Sequence, residues 1–139
     1  MAFLDAKLNA FPVLLRVDKA LVVIVGGGDE ALAKARLIGQ CTARLRIVAE
    51  APDAALDAWI AANDVERVGA PYAASALQGA RLVFAATGDE ALDRIVSDDA
   101  RRLGIPVNVV DRPELCDFFT PAIVNRAPVC VAIGTEGAG

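Results

Sequence analysis

Three glycines at positions 26 to 28, two acids directly behind them and a few carboxylates further along are the residues of this chain equipped for chemistry. The spacing Gly26-x-Gly28-x-x-Ala31, with Gly27 inside it, follows an apolar run and opens a helical pattern. In that setting the first glycine permits a tight turn and the second lets backbone approach a pyrophosphate. A small third residue lets the helix pack on the strand, and N–H groups at the helix start hold the anion. Glu50 and Ala51 end the next apolar run, where an acid accepts ribose hydroxyls. Together these residues read as a dinucleotide site, the alternative being glycines that only make a turn. Glu50 favours NAD over NADP, because a carboxylate repels a 2′-phosphate, while Arg44 and Arg46 keep NADP open. Asp29 and Glu30 either shape the pocket or simply start the helix, where acids interact favourably with the helix dipole.

The chain has no histidine, so acid–base work falls to carboxylates. Asp111, closing "NVVD", is the candidate; its alternative is a turn-forming Asp before "RP". Thr87 follows "VFAA" and either borders the ligand or opens a capping box, Thr87-x-x-Glu90. Cys41, Cys116 and Cys130 are odd in number and unpaired in spacing, which predicts reduced thiols and no metal site. A formal charge of −4 argues against a nucleic-acid partner. No apolar run has membrane-spanning length and "MAFLDAKLNA" is no signal peptide, so a cytoplasmic protein without a membrane partner is expected.

These residues need a scaffold. Apolar runs at 20–25, 45–49, 65–68, 80–86 and 106–110 alternate with helical patterns from 29, at 53–62 and at 89–104, with a small helix near "AASAL". The last long helix is expected to bury Leu92, Ile95, Val96, Ala100 and Leu103. This alternation predicts an α/β fold: a doubly wound, open parallel sheet of the Rossmann NAD-binding type. Its ligand edge lies at the carboxyl ends of the strands, with the switch point between the first and fourth, which gathers the glycine loop, Thr87 and Asp111. The tail "FFTPAIVNRAPVCVAIGT" predicts a C-terminal β-hairpin or arm, and "FPVLLRVDK" a short strand turning at Asp18-Lys19.

The stretches "VVIVGGGDEALAKARL", "VFAAT", "IPVNVVDRPELCDFFTPAIVNRAP" and "VAIGTEGAG" resemble the N-terminal module of the siroheme synthase (precorrin-2 dehydrogenase and sirohydrochlorin ferrochelatase) family. The resemblance implies NAD as cofactor, contacted at Gly26, Gly27, Gly28, Asp29, Glu30, Glu50, Ala51 and Thr87. It implies oxidation of precorrin-2 to sirohydrochlorin with Asp111 as catalytic base in a partly desolvated cleft, and substrate contacts at Asn108, Arg126 and Thr135. Arg126, with Arg112 second, is the cation for an acidic tetrapyrrole in an acidic protein. Many family members also insert ferrous iron, a second substrate here. The implied division is a Rossmann-type NAD-binding domain at 1–112 and a β-arm at 113–139, the truncated start of a homodimerisation region. Departures are Thr87-Gly88-Asp89 in place of paired acids, Asp93 for an asparagine, and Glu136 in a glycine-rich turn. The rival reading is an NAD-binding regulatory or sensor module without catalysis.

Overall fold

The computed structural model describes residues 6–136. The central strand β1 (Leu21–Val25) is all β-branched or leucine and buried along its whole length. An apolar run without alternation suits a strand covered on both faces. It pairs in parallel with β2 (Arg44–Val48) on one side and β4 (Ala80–Ala85) on the other. Beyond these lie β3 (Glu66–Val68) and β5 (Val107–Val109), giving the order β3-β2-β1-β4-β5. The chain therefore reverses direction across the sheet between β1 and β4, as the sequence predicts.

Helices α1 (Asp29–Ile38) and α2 (Ala54–Ala62) cover one face, packing Leu32, Ala35 and Leu56 on Ile24, Ile47 and Phe84. Helix α3 (Glu90–Arg102) covers the other, with Val96 and Ala100 against Val83, Val107 and Val109. The predicted small helix is a 3-10 turn, Ala74–Leu77, whose Leu77 joins this second cluster. The buried face of α3 differs from the one expected: Ile95 and Leu103 are exposed, while Asp93, Ser97 and Asp99 are buried. Each of these polar groups is hydrogen-bonded, to Thr87, Arg101 and Tyr72 respectively. Local polar partners, not apolar spacing alone, set the helix rotation.

The segment "FPVLLRV" forms no strand. Both edges of β1, the strand it leads into, are taken by β2 and β4, so it cannot pair there, and Phe11, Val13 and Leu14 remain exposed. The predicted turn at Asp18-Lys19 is present, with Lys19 in the left-handed region (φ 62°) and the Ala20 N–H donating to the Val17 carbonyl.

After β5 the chain makes a 3-10 turn, Pro113–Leu115, and then lies back on the sheet. Asp117 exchanges bonds with Val107, donating its backbone N–H to the Val107 carbonyl and accepting the Val107 N–H on Oδ2. Phe118 packs edge-on to Phe84, with ring centroids 5.4 Å apart. Only then does the hairpin begin: β6 (Ala122–Arg126) pairs antiparallel with β7 (Val129–Ile133) in a separate two-stranded sheet. Nearly all of its residues are exposed. No helix among the described residues is long and apolar enough to cross a membrane.

Candidate active site

The glycine loop bridges β1 and α1 at the carboxyl edge, and each glycine has a different reason to be there. Gly26 adopts φ 151°, and a Cβ on it would lie 2.0 Å from the Ala86 carbonyl oxygen, so the close approach of the β1 and β4 ends demands glycine. A Cβ on Gly27 would crowd the Ala51 carbonyl at 3.3 Å. Gly28 is different: nothing lies within 4 Å of the Cβ position, which opens to solvent. Gly28 is also the N-cap of α1 and supplies no side-chain capping bond, whereas α2 and α3 are capped by Asp53 and Asp89. The first N–H groups of α1 are thus left for an external acceptor. Asp29 and Glu30 sit in that first turn, exposed, and outside the lining of the adjoining cavity.

That cavity, about 400 Å³, runs between the ends of β1 and β2 and the connection after β3. Gly26, Gly27, Glu50, Ala51, Tyr72 and Thr87 line it. Tyr72 had no signal in the sequence, since it lies in a connection without periodicity. Its hydroxyl donates to Asp99 Oδ2 at 2.8 Å. Burial, and after it the Asp99 carboxylate, push the Tyr72 hydroxyl above the usual tyrosine range. Conversely the Tyr72 bond, assisted by Arg102, holds Asp99 below the usual carboxylate range despite burial.

Thr87 is not the start of a capping box. Asp89 is the N-cap of α3, accepting from the Ala91 and Leu92 N–H groups. Thr87 instead donates its hydroxyl to the buried Asp93 at 2.7 Å, and its backbone N–H goes to the same oxygen. An acid four residues beyond the cap outcompetes Glu90, which is drawn to Arg112 and Arg94.

Glu50 is exposed at the end of β2. The two arginines that left NADP open lie elsewhere: Arg44 is at the opposite end of β2 and bonds the Lys19 carbonyl, while Arg46 is held by Glu66 and the Ala76 carbonyl. The cation that does border Glu50 is Arg67, paired with Asp57 at 3.5 Å.

Asp111 follows β5 on the same edge, two strands from β1, roughly 10 Å at the usual strand spacing. It adopts φ 63°, a conformation that non-glycine residues seldom hold and that is concentrated at functional turns. Among the described residues its carboxylate has no hydrogen-bond or ionic partner. It is exposed, which corrects the expected desolvated cleft: the loop carries it above the sheet rim, with nothing of the described chain over it.

The substrate candidates are not brought together. Asn108 is buried and donates its amide to the Phe118 carbonyl at 2.9 Å, fastening the returning segment to β5. Arg126 sits at the hairpin turn, paired in register with Val129, whereas Thr135 follows the open end where Ala122 meets Ile133. Four residues of strand, roughly 13 Å, separate those ends. Arg112 is committed to Glu90.

Comparison with known proteins bears on this geometry. Residues 13–122 match the model of a family described as "Putative NAD(P)-binding". The chain belongs to this NAD(P)-binding family. Among curated relatives of this NAD(P)-binding chain, siroheme synthase of Stutzerimonas stutzeri is 46% identical over 126 residues, covering 91% of this chain and 27% of that protein. Siroheme synthase of Psychrobacter arcticus is 38% identical over 130 residues, 94% of this chain and 24% of that one. The chain thus spans about a quarter of the length of these relatives. The solved structure of "SirC, precorrin-2 dehydrogenase" superposes with TM-score 0.79 at 24% identity, over 93% of this chain and 63% of that one, which shows a shared fold. The residues fit the cofactor class: Gly26, Gly27 and the Glu50 carboxylate at the second strand's end line one cavity, and the chain runs on from it into an open Gly28 and an uncapped helix start.

Proposed function

We propose that this chain is the NAD-dependent module that dehydrogenates precorrin-2 to sirohydrochlorin, with Asp111 as general base. The observation that carries the reading is Asp111 itself: an unpartnered carboxylate in a left-handed turn on the same rim as the glycine loop. The similarity to siroheme synthases over nearly the whole chain supports the substrate class.

The N–H groups of Asp29, Glu30 and Ala31 would hold the pyrophosphate, and Glu50 would accept the ribose hydroxyls and disfavour a 2′-phosphate. When bound, NAD supplies the hydride acceptor. Asp93 holds Thr87 at the cavity mouth, so the threonine presents its methyl group and a fixed hydroxyl to the ligand. Asp111 takes the proton that leaves the macrocycle, and the substrate, lying over this rim, excludes water from it. Arg126 and Thr135 contact substrate only where the hairpin of one chain approaches the rim of another, which is where a homodimer enters. Ferrous iron insertion would use the same carboxylate to accept pyrrole protons. A cytoplasmic location accords with a soluble substrate and NAD.

Asp111→Asn keeps the turn and removes the base. Incubated with precorrin-2 and NAD, it is expected to lose at least about a hundredfold in NADH formation, within the usual span for a general base, with NAD affinity unchanged. Full turnover by the variant would remove Asp111 as the base, whereas no turnover by the parent chain alongside normal NAD binding would support the sensor module instead.

A further inference from the structure

Of the lysines and arginines without a carboxylate partner among the described residues, Lys34 is the one that is not exposed. It lies on the flank of α1, its ammonium 5.9 Å from the centre of the Phe84 ring and 3.1 Å from Thr120 Oγ1. A half-buried ammonium normally finds an anion, because a hydroxyl and a ring face replace only part of its hydration. Helical side chains lean toward the helix N-terminus, here the carboxyl edge of the sheet. Phe84 belongs to β4 and Thr120 to the segment laid back on β5, so the ammonium is on the Asp111 side of the glycine loop. Cys116, in the same returning segment as Thr120, bonds through its sulfur to the Val109 and Arg112 carbonyls flanking Asp111.

We propose that Lys34 is a substrate-binding residue that holds a carboxylate of the macrocycle at the rim, Thr120 keeping its place in the free protein. The inference rests on the tetrapyrrole reading above and adds a site that the hairpin arginine does not provide. A carboxylate arriving between α1 and the 118–121 segment exchanges one neutral acceptor for a charged one. It sets the macrocycle edge beside Asp111 without help from Arg126.

The test uses uroporphyrin, an octacarboxylate tetrapyrrole that is not turned over, with binding followed by its fluorescence as salt is raised. Lys34→Met keeps the stem over Phe84 and removes the charge. It is expected to weaken uroporphyrin binding about tenfold at low salt, as loss of a charged hydrogen bond does, and to flatten the salt dependence, with NAD affinity unchanged. Lys34→Arg should restore most of both. Unchanged affinity and salt slope in Lys34→Met, with only a lower melting temperature, would reduce Lys34 to a latch between α1 and the returning segment and overturn the proposal. Failure of the unsubstituted chain to bind any tetrapyrrole would instead remove the substrate reading itself, and the proposal with it.

Discussion

At the scale of single residues, the glycine loop separates two requirements that a motif runs together. Gly26 is required by the protein: its Cβ would strike the Ala86 carbonyl, and its φ of 151° excludes side chains. Gly26→Ala should therefore lower stability by about 3 kcal/mol, from backbone strain and a contact that cannot relax, seen as a large fall in the denaturation midpoint. Gly28 is not required by the protein's own packing; the proposed function assigns it to the ligand. Gly28→Val has open space for its side chain and should cost under about 1 kcal/mol of stability as a changed N-cap, while weakening NAD binding measured by calorimetry. An equal loss of both properties in both variants would mean that the loop has one role only. Asp111 was legible as the end of "NVVD", but its left-handed turn and exposure were not. The bond that Asn108 makes was not legible for the same reason: the strand pattern cannot say which carbonyl from a later segment will take a buried amide.

At the scale of elements, the connection after β3 is a wall of the cavity beside the glycine loop held by one polar pair, Tyr72 and Asp99, which ties it to α3. Asp99 has its carboxyl depressed in the folded protein, so its contribution to stability is present above the unfolded value, about 3.9, and is lost as pH falls through the lower folded value. Tyr72→Phe should cost about 1 kcal/mol at pH 7, and the gap from the parent chain should close as pH falls below the ordinary carboxylate range. Paired thermal melts between pH 7 and 3 measure it, and a gap that stays constant would deny the pair its role. Strands and helices were readable from runs and periodicity because burial imposes both. The rotation of α3 was not, because the partners of Asp93 and Asp99 come from other segments.

At the scale of the molecule, we propose that the boundary between body and arm falls after the returning segment, not at residue 112. Cys116, Asp117 and Phe118 bond to β5 or pack on β4, and the hairpin beyond them adds little to that core. A chain ending after Pro121 should keep a cooperative melt and NAD affinity, whereas one ending after Arg112 should lose roughly 3 kcal/mol or more through the exposed Phe84 edge and unpaired β5 groups. Equal melting of the two would return the boundary to 112. The sequence by itself determined the alternating parallel architecture, the place of the switch point and the glycine loop with Glu50 and Asp111 on one rim, since local periodicity and strand order decide these. Only the tertiary structure decided that Thr87 is held by Asp93, that Tyr72 walls the cavity, that Asn108 is an anchor, and that Lys34 stands by the rim without a counter-charge. Those depend on which distant segments meet, and a meeting between side chains far apart in the chain leaves no local pattern to read.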